Sequence, residues 1–213
     1  MNKVLFLTGY YGSGKSELAM NLALKYQVDT LVDLDIINPY FRTREMESFL
    51  REEGIEVISS DLEGQAHLDM PYISKKIYNP IHKQERVIYD LGGNDQGAKL
   101  MRQFEDYRDI DYDLWLVVNV YRQETDDAEK IMSLINRIEG TSGFKVTGLV
   151  NNSNMLKETT AEDIMTGQHI LEEVSNKLGL PIALTTYWQG FKEDLNVSNE
   201  TLEIKLFFRK NWF

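Results

Sequence analysis

The sequence predicts an α/β fold in which a mostly parallel central sheet is flanked by helices on both faces. Short apolar runs alternate with segments of helical periodicity, which is the pattern of successive βα units. The runs Val4–Leu7, Val87–Tyr89 and Leu114–Val118 are apolar throughout, as expected for parallel strands that are buried on both faces. The sequence shows no repeat, low-complexity tract or linker, so we expect one domain over residues 1–213.

Seven strands are predicted from the apolar runs. They lie near Lys3–Thr8, Thr30–Asp35, Ile55–Ser59, Arg86–Leu91, Leu114–Val120, Lys145–Val150 and Pro181–Thr186.

Four helices are predicted between these strands, and glycines mark the ends of three of them. Their ranges are Ser16–Tyr26, Thr43–Glu53, Thr125–Glu139 and Ala161–Leu178. Gly54 and Gly140 follow the second and third helices. The fourth has Thr160 as its capping residue, Asp163 three positions later and Gly179 after its end.

Composition excludes several classes of protein. The net charge of −11 argues against nucleic-acid binding by phosphate neutralisation. The absence of cysteine excludes disulfides and thiolate metal sites. The first residues do not have the pattern of a signal peptide, and no run reaches the ~20 apolar residues of a membrane span. We therefore expect a cytoplasmic protein.

The segment Gly9–Ser16 has the pattern G-x-x-x-x-G-K-[ST] in full. An apolar strand precedes it and an amphipathic helix follows, which is the context of a phosphate-binding P-loop. Backbone N–H groups would surround the phosphates, Lys15 would contact the β- and γ-phosphates, and Ser16 would bind Mg²⁺. The predicted nucleotide-binding residues of this loop are Gly9, Gly12, Ser13, Gly14, Lys15 and Ser16.

Two further strand ends carry carboxylates. Asp90 ends an apolar strand, as a Walker B aspartate does, and is predicted to help hold Mg²⁺. Gly93 follows it, where a backbone N–H could contact the γ-phosphate. Of Asp33 and Asp35 after the second strand, we expect only Asp35 to face the phosphates and to position water or Mg²⁺.

These elements together resemble the CobQ/CobB/MinD/ParA nucleotide-binding family, a group of P-loop NTPases of the SIMIBI class. The resemblance extends over about residues 1–190 and includes Gly148–Asn152. It implies that Asn152 contacts the base and that Asp35 is the switch carboxylate near the attacking water.

One position departs from that family. Partition ATPases have a lysine directly after the first glycine of the loop, and this lysine reaches into a partner subunit. Here Tyr10 stands in its place, so dimer-activated hydrolysis is not implied, although a homodimer stays open. The loop is closer to the synthetase and metallochaperone branches.

The base is predicted to be adenine. Guanine-binding P-loop proteins use Asn-Lys-x-Asp, whereas the segment Asn152–Met155 has no aspartate in its fourth place. An asparagine alone can pair with adenine N6 and N7, which favours ATP over GTP.

Other segments give weaker signals. The stretches Asp61–Pro71 and Asn94–Gln96 are predicted to be substrate loops, and Arg42 and Arg44 are candidates to stabilise phosphoryl charge. The histidines His67, His82 and His169 lack the spacing of metal ligands. The aromatic and basic C-terminus, Ile204–Phe213, suits either docking on the protein's own core or a second subunit, or a membrane anchor.

The predicted function is Mg²⁺-dependent ATP binding with hydrolysis, in which Lys15, Asp35 and Asp90 are the catalytic candidates and Ser16, Asp35 and Asp90 the metal candidates. Two alternatives stay open. One is an ATP-dependent synthetase or kinase that acts on a small molecule. The other is a nucleotide switch without turnover that binds a protein or membrane partner.

Overall fold

A sheet of eight parallel strands forms the centre of the computed structural model, which describes residues 1–35, 47–59, 75–188 and 190–208. The strands are β1 (Val4–Gly9), β2 (Thr30–Leu34), β3 (Glu56–Ser59), β4 (Val87–Leu91), β5 (Tyr112–Val118), β6 (Gly148–Asn151), β7 (Ile182–Tyr187) and β8 (Thr201–Glu203). Their order across the sheet is β3-β2-β4-β1-β5-β6-β7-β8. All seven predicted strands are confirmed, and β8 is an addition.

Six α-helices lie in the described part of the chain. They are α1 (Lys15–Tyr26), α2 (Glu47–Glu52), α3 (Asn79–His82), α4 (Asn94–Met101), α5 (Ala128–Ser142) and α6 (Ala161–Leu178). Short 3-10 segments occupy Lys75–Tyr78, Arg102–Tyr107, Leu156–Glu158 and Lys192–Asp194.

Helix α6 has the predicted bounds because both of its ends are encoded locally. The Thr160 hydroxyl accepts from Asp163 N at 3.3 Å, and Thr160 N donates to the Asp163 carboxylate at 2.8 Å. This reciprocal pair is a capping box. Gly179 ends the helix with φ of 69°, a left-handed conformation that favours glycine.

The predicted bounds of α5 were wrong at both ends. Asp127 caps the helix by accepting from Lys130 N at 2.8 Å. Thr125 is buried before it and bonds Asn119 O instead. The helix continues through Gly140 because a lone glycine costs only about 1 kcal/mol relative to alanine. It ends at Gly143, where φ is 76°.

The predicted helix Thr43–Glu53 lies partly outside the described residues, and its described portion is α2. Gly54, at φ of 83°, ends this helix as expected. Helices α3 and α4 were not predicted, and Asn94–Gln96, which we expected to be a substrate loop, forms the start of α4.

The two faces of the sheet carry separate apolar cores. Val4 and Phe6 of β1 pack in the core that contains α4, α5 and α6. Leu5 and Leu7 pack in the core that contains α1 and α2. Burial on both faces explains why the strands are apolar without alternation, and it confirms the predicted arrangement of helices.

Strand β1 lies at the point where the sheet changes direction. The chain leaves β1 toward β2 on one side, and from β4 it crosses β1 to reach β5 on the other. In parallel sheets, ligands bind beyond the carboxyl ends of the strands at such a switch point.

The C-terminal segment docks on the protein's own core as far as Phe208. Asn21 of α1 bonds Lys205 twice, by donating to its carbonyl at 2.9 Å and accepting from its N–H at 2.8 Å. The Glu17 carboxylate accepts from Phe207 N, and the Phe207 ring packs against Phe49 of α2. Residues 209–213 lie outside the described part. Within that part, no helix has the length and apolar character needed to cross a bilayer.

Candidate functional site

The loop between β1 and α1 has the backbone shape of a phosphate nest, a concave turn whose successive N–H groups can surround an anion. A Cβ atom at Gly9 would lie 2.3 Å from Val117 O, so only glycine fits there. Gly14 precedes α1 with φ of 83°, and its Cβ would lie 2.5 Å from Asn152 Nδ2. These two glycines let the chain turn tightly from the sheet into the helix, whose first N–H groups then face the nest.

Lys15 is buried under the loop, with 5% of its surface exposed. Its ammonium donates to Tyr10 O at 3.2 Å, across the span of the nest. Burial lowers the pKa of Lys15, whereas the negative charges of Asp90 and Asp35 raise it. The lysine therefore lies near both predicted carboxylates.

Asp90 is fully buried at the end of β4, and neither of its carboxylate oxygens has a hydrogen-bond partner. Burial raises the pKa of Asp90 to about 7, against the lowering effects of the Lys15 charge and the Ser16 hydroxyl. That hydroxyl lies close enough to influence the carboxylate without forming a hydrogen bond of normal geometry. A buried carboxylate without partners is costly, and a bound cation would offset this cost.

Asp33 shares the face of the sheet on which Asp90 lies, whereas we expected only Asp35 of the pair to face the site. Asp33 is the register partner of Asp90, and side chains paired in register on adjacent strands project to the same face. Asp35 follows the end of β2 at Leu34. The Asp33 carboxylate accepts from Asp35 N at 3.1 Å. A Cβ at Gly92 would lie 3.0 Å from the Asp35 carboxylate, so Asp35 adjoins the end of β4.

Gly93 contacts the phosphate loop directly. It precedes α4 with an extended backbone, and its Cβ would lie 2.9 Å from Tyr11 N and 3.4 Å from Gly9 O. The structure thus brings together the two glycine-containing turns that the sequence singled out.

Asn152 lies behind the loop with both ends of its carboxamide bonded. Its Nδ2 donates to Ser13 O at 2.6 Å, and its Oδ1 accepts from the Thr186 hydroxyl at 2.6 Å. These bonds join the carboxyl ends of β6 and β7 to the phosphate loop. A small recess opens beside Asn152, and the side chains around it include Ser153, Asn154, Thr186, Tyr187 and Trp188.

Two residues of the β5–α5 connection were missed by the sequence analysis. The Arg122 Nε donates to Gly12 O at 3.1 Å, and a hydrogen bond with Glu124 raises the pKa of Tyr10. The sequence places both residues just after the predicted strand Leu114–Val120, but only the structure shows that this strand neighbours β1.

Several predicted residues lie outside the described part of the chain. These are Arg42, Arg44 and the segment 61–71 with His67. Among the described histidines, His82 bonds the Tyr107 hydroxyl at 2.9 Å. No group of three or more histidines and carboxylates suited to a metal ion occurs in the described ranges.

No protein-family model matches this sequence, and no curated protein matches it.

Solved structures show the fold. This chain is similar to the signal recognition particle receptor FtsY from Elizabethkingia anophelis in complex with GDP. The match has 14% identity and a TM-score of 0.53, and it covers 87% of this chain and 57% of that one. FlhF complexed with GTP and Mg²⁺ gives 14% identity, 85% and 64% coverage and a TM-score of 0.52. The cell division protein FtsY from Thermotoga maritima gives 12% identity, 87% and 62% coverage and a TM-score of 0.54.

The chain spans 57–64% of the length of these three structures. The likeness confirms the P-loop NTPase fold with its parallel sheet. It does not confirm the narrower resemblance to the CobQ/CobB/MinD/ParA family.

Proposed function

We propose that the protein binds a nucleoside triphosphate with Mg²⁺ in the loop Gly9–Ser16 and hydrolyses it. The observation that carries this proposal is the pair of buried charges beside the loop. Lys15 supplies a cation under the nest, and Asp90 supplies two carboxylate oxygens without partners.

The phosphate chain is bound mainly by the backbone. N–H groups of the loop and of the first turn of α1 donate to phosphate oxygens, and the positive end of the helix dipole adds to their attraction. Lys15 exchanges its bond to Tyr10 O for bonds to the β- and γ-phosphates. Because its ammonium is buried, this interaction is stronger than one in open solvent.

The residues present fit a magnesium ion. Ser16 and Asp90 would hold it, with Asp35 acting through a water, since Mg²⁺ is usually bound by one or two protein oxygens together with phosphate oxygens. When bound, the ion neutralises charge that develops on the transferred phosphoryl group. FlhF, which shares the fold, was solved with GTP and Mg²⁺, which supports the pairing of nucleotide and metal.

Asp35 orients the attacking water, and Gly93 N–H donates to the γ-phosphate. The proximity of Asp35 to Gly92, and of Gly93 to Tyr11, supports both roles. Hydrolysis would then depend on positioning and charge stabilisation, as is general for phosphoryl transfer.

Adenine is the proposed base. The recess beside Asn152 has asparagine, serine, threonine and aromatic side chains on its walls and no carboxylate among its described lining residues. It has room for about one water molecule, so it would have to widen to admit a base. A carboxylate is the usual acceptor for guanine N1 and N2. Asn152 would contact adenine by exchanging its bond with Thr186.

Calorimetric titration of the protein with ATP, ADP and GTP in Mg²⁺ tests this proposal. We expect ATP to bind more tightly than GTP, and Lys15→Ala to abolish ATP binding. Retention of micromolar affinity for ATP by this variant would remove the basis of the assignment.

A second candidate function is γ-phosphoryl transfer to a small molecule by a synthetase or kinase. Tyr10 replaces the lysine of partition ATPases, and its hydroxyl lies near Glu124 of its own chain, which raises the pKa of Tyr10. This favours a branch without a lysine from a partner. Stimulation of ADP release by a metabolite would support transfer, whereas no stimulation by a broad set of carboxylates would count against it. ATP binding without turnover would instead identify a switch.

A further inference from the structure

The connection between β5 and α5 crosses the outer edge of the phosphate loop and has a fixed shape. Asn119 O accepts from Arg122 N at 3.2 Å and from the Thr125 hydroxyl at 2.7 Å. Thr125 N donates to Arg122 O at 2.9 Å. These bonds make a closed turn, so the backbone that carries Arg122 is held in place.

The Arg122 side chain extends from this turn to Gly12. Its Nε donates to Gly12 O at 3.1 Å, and its Nη2 lies 3.7 Å from the position of a Cβ at Gly12. Arg122 is half-buried. Among the described residues, no acceptor bonds its terminal amino groups and no carboxylate pairs with it.

The acidic residues of the same connection have other partners. Asp126 pairs with Lys130 at 2.6 Å and Asp127 caps α5, and Glu124 lies near enough to the Tyr10 hydroxyl to raise its pKa. The neighbouring carboxylates therefore do not pair with Arg122 or neutralise its positive charge. A guanidinium has five N–H donors in a planar fork that matches phosphate geometry, and the part of the chain that the structure describes uses only one of the five.

The location of Arg122 indicates which phosphate group its side chain would contact. Gly12 directly follows the segment Gly9–Tyr11, which Gly93 contacts. Gly93 is the residue proposed to donate to the γ-phosphate, so Arg122 lies at the γ-phosphate end of the nest.

We propose that Arg122 is a second phosphate-binding cation of the site, which donates from its terminal amino groups to the γ-phosphate while its Nε holds Gly12 O. This inference rests on the proposed function. Arg122 would select for the triphosphate over the diphosphate, because a diphosphate lacks the group that it binds.

Binding of ATP and ADP to Arg122→Gln, measured by calorimetry in Mg²⁺, tests the inference. A charged hydrogen bond to phosphate is worth roughly a ten- to hundredfold change in affinity. We expect ATP binding to weaken by that factor and ADP binding to change by less than about threefold. Arg51→Gln, which removes an arginine paired with Glu47 on the surface of α2, is the matched control and should change neither affinity.

The ratio of the two affinities separates this role from a structural one. If Arg122 only braced Gly12, its loss would weaken ATP and ADP alike, and equal weakening or no change would overturn the inference. Arg122→Lys keeps the charge but cannot bond Gly12 O and phosphate with one planar group, so it should lose part of the preference for ATP over ADP. This second variant provides the test if Arg122→Gln does not fold. Failure of the wild-type protein to bind ATP would remove the proposed function itself, and this inference with it.

Discussion

Single residues of the site are held in states that are unfavourable without a ligand. Asp90 has no exposed surface and no hydrogen-bond partner, and its pKa is raised to about 7 by burial. The pKa of Lys15 is lowered, again mainly by burial. Perturbed charges of this kind, close together at a strand end, are typical of functional sites.

Asp90→Asn should weaken the binding of Mg–ATP about tenfold or more while leaving metal-free binding nearly unchanged, because the amide is a poor ligand for Mg²⁺. Titrations with ATP in the presence of Mg²⁺ and in the presence of EDTA measure the two affinities. Asp109→Asn, which alters an exposed carboxylate, is the control. An equal loss with and without metal would show that Asp90 does not act through Mg²⁺.

Asn152→Ala should lower the free energy of unfolding by about 1–3 kcal/mol, because Ser13 O loses its partner and the Thr186 hydroxyl keeps only Asn151 O. It should also weaken ATP binding more than GTP binding, since ATP loses both the brace on the phosphate loop and the proposed contact of Asn152 with adenine. Urea unfolding and calorimetry give both values. Equal weakening of ATP and GTP would mean that Asn152 braces the loop and does not contact the base.

The residues predicted from the sequence are those whose chemistry is local. The spacing of Gly9 to Ser16 identifies the nest because a short stretch of backbone makes it. Arg122 contributes through a contact between positions 110 residues apart, and no local pattern marks that contact. For the same reason, the bonds of Asn152 to the loop became visible only in the structure.

Secondary-structure elements follow the same division between local and tertiary signals. Helix α6 was predicted at both ends because Thr160, Asp163 and Gly179 encode them locally. Strand β8, with three residues, forms because β7 offers an edge to pair with, and its own sequence is too short to specify a strand. Gly140 was predicted to end α5 because glycines often follow helices. The prediction failed because a glycine inside a helix has only a modest cost, and α5 continues past it.

The capping box of α6 should make part of the protein's stability depend on pH. The pKa of Asp163 is lowered, chiefly by the hydrogen bond from the Thr160 hydroxyl and also by those from Tyr121 and Thr160 N. A lowered carboxyl pKa contributes stability that is present above the usual value of 3.8 and is lost as the pH falls through the folded-state value.

Urea unfolding between about pH 5 and about pH 2 should therefore show a smaller loss of stability for Asp163→Asn than for the wild-type protein. Glu162→Gln, which changes the neighbouring exposed acid in the same turn, should retain the wild-type pH dependence. Parallel curves for Asp163→Asn and the wild-type protein would exclude a contribution from the cap.

At the scale of the whole molecule, the strand order brings distant residues to one edge of the sheet. The carboxyl ends of β1, β2 and β4 carry the nest, Asp33 and Asp90, and those of β5, β6 and β7 lead to Arg122, Asn152 and Thr186. Parallel pairing was predicted from the sequence, but the order of the strands was not, because it depends on long-range packing. A ligand that bridges these ends would stabilise the native state by mass action.

A crystal structure with Mg²⁺ and a non-hydrolysable ATP analogue tests the central claim most directly. We expect the triphosphate to lie in the loop Gly9–Ser16, with the Lys15 ammonium moved from Tyr10 O to phosphate oxygens and the metal between Ser16 and Asp90. A loop without phosphate, or a Lys15 still bonded to Tyr10 O beside a nucleotide bound elsewhere, would contradict the account.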